Sequence, residues 1–135
     1  MRELAEELEL GDRAIEAAGP TNEELLALYG NALALLFPSL EEGFGWPVLE
    51  AQACGCPVIT SARAPMTEVA GEAAIFVDPT DPQAAGTAIA EGLQRREWLR
   101  AAGFRNMKRF DEAELAGQYC AFYEDILKDA SSPVR

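Results

Sequence analysis

Three short apolar runs, ALALLFPS (residues 32–39), PVITS (57–61) and AAIFVDP (73–79), are spaced through the chain with helical patterning between them. None of the three alternates polar with apolar residues. A short run of this kind is a strand buried on both faces, and only a sheet covered by helices on both sides buries strands that way. The expected fold class is therefore α/β: a three-layer, Rossmann-like parallel sheet with flanking helices. A fourth segment, RAIEAAG (13–19), is a candidate strand of weak β-propensity.

The punctuation between strands supports this reading. MRELAEELEL (1–10) spaces Leu4, Leu8 and Leu10 among glutamates as an amphipathic helix that Gly11 and Asp12 end. Thr21 with Glu24 forms a capping box for a helix from about Asn22 to Gly30. Pro47 opens a helix to Ala53, with Gly55 suited to its left-handed end. A helical turn covers Thr67 to Ala70, and Asp81 caps a helix from Pro82 to about Arg95. WLRAAGFRNMKRF (98–110) reads as a short helix interrupted near Gly103. Asp111 and Glu114 start a last helix to about Lys128, and residues 129–135 form a frayed tail.

Charge and residue inventory exclude several function classes. With 11 basic and 23 acidic residues the chain carries −12, which repels nucleic acid and anionic lipid. No run of 18 apolar residues and no basic leader precede an apolar stretch, so neither a membrane span nor a signal peptide is expected, and the chain reads as cytoplasmic. Cys54, Cys56 and Cys120 have no metal-ligand spacing and histidine is absent, so no metal is expected and no histidine base is available. Cys54 and Cys56 read as small buried residues.

The chemistry concentrates in EGFGWPVLE (42–50), between a strand and a helix. In open parallel sheets ligands collect there, at the C-terminal ends of the strands. Gly43 and Gly45 let backbone N–H groups approach an anion, and the following helix turns its positive end to the same spot. A diphosphate is the natural guest. A carboxylate near it is unfavourable unless it accepts hydrogen bonds from neutral hydroxyls on the same ligand. Glu42 and Glu50 fit the two sugars of a nucleotide diphospho-sugar in that way. Taken singly, each also fits a plainer role, Glu50 as an acid favoured in the first turns of a helix and Glu42 as an exposed loop acid. Phe44 and Trp46 read as packing residues.

FPSLEEGFGWPVLEAQACGCPVITSARAPMTEVAGEAAIFVDPTDPQAAGTAI (37–89) closely resembles the donor-binding half of retaining glycosyltransferases of the GT-B fold. More narrowly it is similar to glycosyltransferase family 4, the group that includes sucrose and glycogen synthases and many bacterial mannosyl- and glucosyltransferases. Glu42, seven intervening residues and Glu50 match the family's paired-glutamate motif, within EGFG, LEA, GCPVITS and EVAG. The resemblance implies that Glu42 contacts the donor sugar, that Gly43, Phe44 and Gly45 approach sugar and diphosphate, and that Glu50 binds the ribose. It implies a nucleobase loop at Ala18, Gly19 and Pro20, and a donor such as UDP-glucose or GDP-mannose with no cofactor and no metal. Trp46 stands where leucine or phenylalanine is usual.

The family's C-terminal domain begins with two further strands and an arginine and lysine pair that neutralises the diphosphate, and its acceptor-binding N-terminal domain precedes them. None of these is in this sequence, so the chain looks like a partial C-terminal nucleotide-sugar-binding domain over 1–135 and is expected to be inactive alone. In the family's sheet order, 3-2-1-4-5-6, the segments found correspond to strands three to six. That leaves the edge of ALALLFPS open, and a homodimer or swapped assembly through it is expected. The alternative is a non-catalytic interaction or regulatory module that kept the fold. A phosphoacceptor domain is disfavoured, because no acidic cluster ends an early strand.

Overall fold

The structure is a computed structural model and describes residues 2–130. Its sheet has three parallel strands, β1 (Leu35–Phe37), β2 (Val58–Ser61) and β3 (Ala74–Val77), in the order β1-β2-β3. Leu35 registers with Val58 and Val58 with Ala74. Among the described residues seven α-helices accompany it: α1 (Arg2–Glu7), α2 (Asn22–Asn31), α3 (Trp46–Ala53), α4 (Met66–Ala70), α5 (Pro82–Leu93), α6 (Arg96–Met107) and α7 (Glu112–Ala130).

Strand periodicity of two divides the core between the two faces. On one face Leu35, Phe37, Val58, Ala74 and Phe76 pack with Tyr29 of α2, Val48 and Leu49 of α3 and Met66 and Val69 of α4. On the other, Ile59, Ile75 and Val77 pack against Leu99 of α6 and against Ala85, Ala88, Ile89 and Leu93 of α5. The α/β architecture with helices on both faces is as the apolar runs require.

Several boundaries differ from those expected. RAIEAAG joins no strand: Gly11–Arg13 is a short 3-10 turn, and 14–18 has no regular structure. The segment is alanine-rich and exposed along its length, and no strand lies beside it to supply the hydrogen bonds that hold a strand. α1 ends before Gly11, because Glu9 takes the left-handed cap position at φ 51° while Leu10 N donates to Ala5 O at 2.9 Å. β1 is shorter than 32–39 and is not buried on both faces, for Leu36 is 57% exposed. α5 and α6 cover the second face over β2 and β3, and β1 lies at one edge of the sheet.

α6 runs unbroken through Gly103 and then tightens into a 3-10 turn at Lys108–Phe110. A Cβ at Gly103 would sit 3.3 Å from Gln52 Cγ, so glycine serves close helix approach there and not a break. α7 reaches Ala130, two residues past the expected end, and 131–135 lie outside the described residues. The capping box on α2 is present in full, with Glu24 N donating to Thr21 Oγ1 at 3.2 Å and Thr21 N to Glu24 Oε2 at 2.8 Å. Asp81 caps α5 through Ala84 N at 3.0 Å.

Candidate functional site

The loop from Pro38 to Gly45 leaves the C-terminal end of β1 and delivers the chain into α3. Ser39 Oγ donates to Glu41 O at 3.0 Å and tightens its first turn. Glu42 and Gly43 stand exposed beyond it. Gly45 is the N-cap of α3 in the left-handed region at φ 95°, where it is buried, and a side chain there would run into Met66. Gly43 has open space around it and ordinary backbone angles. The fold therefore requires glycine at 45 and not at 43.

α3 begins without a side-chain cap. Val48 N donates to Gly45 O at 3.0 Å, and Pro47 has no N–H to offer. Among the described residues, the N–H groups of Gly43, Phe44, Gly45 and Trp46 donate to no backbone carbonyl and no side chain. The starts of α2 and α5, by contrast, are closed by Thr21 and Asp81. Unpaired amides at the positive end of a helix are donors suited to an anion.

Glu50 lies on the side of α3 that faces α2. Tyr29 donates its hydroxyl to Glu50 Oε2 at 3.3 Å, and the two line a cleft of about 290 Å³ with Asn22, Leu25 and Leu26. Tyr29 is the one residue of α2 buried in the core, and burial first, then the neighbouring Glu50 charge, pushes its phenol up to about 12. It therefore remains a donor across the physiological range and holds one carboxylate oxygen, while Glu50 itself is exposed. Sequence reasoning missed Tyr29. Its place four residues after Leu25 marks an inward-facing position on α2, but its partner is 21 residues away.

The loop at Ala18–Pro20 sits elsewhere. Gly19 turns the chain at φ 61° into α2, and Ala18 and Pro20 border a cleft with Glu24, Ala27 and Leu28. Those three lie on the opposite side of α2 from Leu25, Leu26 and Tyr29, by the 100° step of the helix. Glu50 and this loop are thus on two sides of one helix.

Buried amides anchor the elements under the loop. Gln52 of α3 donates to Ala70 O at 3.3 Å and Ala73 O at 3.2 Å, and accepts from Asn106 Nδ2 at 2.8 Å. Asn106 also donates to Val69 O at 2.8 Å and accepts from Arg109 at 2.8 Å, and Arg109 reaches Glu68 O at 3.2 Å. α3, α4 and α6 are clamped together by these bonds. Phe44, expected to pack, sets its ring edge-on to Phe110 at 6.3 Å, but Trp46 is 65% exposed and touches Phe44 at 4.9 Å. Cys56 is buried and Cys54 half-buried, both as free thiols. No lysine or arginine occurs from Ala32 to Ala62.

Comparison with known proteins adds an independent line. The family profile described as "Glycosyl transferases group 1" matches residues 1–109. Over 86 residues the chain is 40% identical to the O-antigen chain mannosyltransferase B of Escherichia coli, a match covering 64% of the chain and 23% of that protein. Over 131 residues it is 33% identical to the MMP alpha-(1->4)-mannosyltransferase of Mycolicibacterium hassiacum, covering 92% of the chain and 32% of the relative. Over 135 residues it is 35% identical to the D-inositol 3-phosphate glycosyltransferase of Acidothermus cellulolyticus, covering 96% and 30%. The chain spans between about a quarter and a third of the length of these relatives.

Proposed function

The chain belongs to the glycosyl transferases group 1, and from that membership we propose that it is the donor-binding part of a retaining glycosyltransferase that moves a hexose from a nucleotide diphosphate to an acceptor. The observation that carries this reading is the set of four successive unpaired amides, Gly43 to Trp46, at the start of α3. They and the helix end suit a diphosphate, and they strengthen as the leaving group gains charge. Glu42, on the same open loop, accepts from hydroxyls of the donor hexose. Glu50, oriented by Tyr29, accepts from the ribose hydroxyls. The donor is of the UDP-glucose or GDP-mannose type, and a mannosyl donor accords with the relatives that are named as mannosyltransferases. The amides and the helix dipole do the work of a metal ion here.

The cationic groups that balance a diphosphate, and the acceptor site, belong to the rest of the protein in this reading, so the 135-residue chain binds donor weakly and turns nothing over. The open edge of β1 also suits pairing with a second copy. Calorimetric titration with UDP-glucose and GDP-mannose checks the donor reading. The expected dissociation constant is roughly 0.1–1 mM, weakened about tenfold in Glu50→Gln through loss of a charged acceptor. No binding of either nucleotide sugar, or binding indifferent to Glu50→Gln, overturns it, and submicromolar binding overturns the statement that the cationic groups lie elsewhere.

A further inference from the structure

Trp46 is the first residue of α3 and directly follows the left-handed Gly45, yet nearly two thirds of its surface is open. A tryptophan so exposed beside unpaired amides has a cost in hydrophobic hydration that the fold does not relieve. It is nonetheless held in place. Phe44 stands tilted by 48° against its ring, Phe110 meets Phe44 edge-on, and the Arg109 guanidinium lies 5.4 Å from the Phe110 ring while it donates to Glu68 O at 3.2 Å. The indole is thus the outer end of an ordered stack that reaches back to α4. The loop that leads into Trp46 carries exposed Glu41 and Glu42 five and four residues before it, so the flat apolar face and carboxylate acceptors belong to one short exposed stretch.

A pyranose ring needs that combination. Its axial C–H bonds, made slightly positive by neighbouring oxygens, rest on the negative face of an aromatic ring, while its hydroxyls donate to carboxylates. We propose that Trp46, braced by Phe44, is a stacking platform for a pyranose. The proposal rests on the glycosyltransferase reading only in taking a sugar as the guest. The ring belongs either to the sugar of the donor or to an acceptor, and both present the same chemistry.

The experiment uses the full chain with Trp98→Phe, so that Trp46 is the only indole reporter. Its emission is followed during separate titrations with methyl α-D-mannopyranoside, GDP-mannose, GDP and sorbitol. Saturable quenching by the methyl pyranoside in roughly the millimolar range supports the platform and assigns it to an acceptor. A response to GDP-mannose that neither GDP nor the pyranoside produces supports it and assigns it to the donor sugar. A response to neither sugar, or an equal one to sorbitol, overturns it. Binding followed by saturation-transfer NMR should weaken at least tenfold in Trp46→Leu and about threefold or less in Trp46→Phe, which keeps an aromatic face; equal affinity in Trp46→Leu also overturns it. Calorimetry with GDP separates the two ideas. Pyranoside binding without nucleotide binding sinks the donor reading and leaves the platform, and nucleotide binding with a silent Trp46 does the reverse.

Discussion

Gly43 and Gly45 show how differently two identical residues can be constrained within three positions. Gly45 sits at φ 95°, and a Cβ would meet Met66, so Gly45→Ala combines left-handed strain with overpacking. A loss of about 2–4 kcal/mol in chemical denaturation is expected. Gly43 has room and ordinary backbone angles, so Gly43→Ala should unfold within about 0.5 kcal/mol of the parent. If the amides bind a diphosphate, that same variant should still weaken nucleotide binding, because its methyl stands where the ligand approaches. Tyr29 makes a second residue-scale statement. Its folded pKa of about 12 lies above the ordinary 10, so it stabilises the fold fully below pH 10, and that contribution is lost as pH rises through 12. The fall should reach about 2 kcal/mol. Tyr29→Phe should remove that component, read as flatter stability between pH 10 and 12, and it should also free the Glu50 carboxylate.

At the scale of elements, polar side chains as well as the apolar core hold the helices around the site. Gln52 and Asn106 are both buried, and every polar atom of their two amides is paired. Gln52→Ala leaves the carbonyl of Ala73 and one Asn106 donor without partners and the carbonyl of Ala70 with only its bond from Ala73 N, and a destabilisation of about 2–4 kcal/mol is expected, with Gln52→Leu no better in spite of its volume. Thermal melts of both variants check this: recovery by leucine would show that packing and not hydrogen bonding holds α3. Ser61 is the contrast. Its hydroxyl is buried at the end of β2 with no hydrogen-bond partner among the described residues. Helix ends were the most readable elements, since Thr21 with Glu24 and Asp81 with Ala84 act across three residues. RAIEAAG was the least readable. A strand exists only by pairing, and whether a neighbour is present is not written in the segment itself.

For the whole molecule, β1 and β3 are both edge strands of the sheet, and the edge at β1 is the one lined by exposed leucines. β1 pairs only with β2 among the described residues, and Leu33 and Leu36 are exposed beside it. An unpaired apolar edge is a template for another chain. Sedimentation equilibrium should show reversible self-association, reduced by Leu36→Lys, and a concentration-independent monomer would sink the idea. None of the described helices is long and apolar enough to cross a membrane.

The apolar runs, the capping residues and the EGFGWPVLE stretch by themselves determined the α/β class, most helix starts and the family, because these depend on local patterning and on interactions a few residues long. Tertiary structure alone decided that RAIEAAG is no strand, that Tyr29 orients Glu50 from 21 residues away, that Asn106 meets Gln52 across 54, and that Trp46 faces outward while Gly45 is walled in by Met66. Those facts depend on which distant segments the folded chain brings back to each position. Long-range contact is set by the sum of all the packing and not by any one stretch.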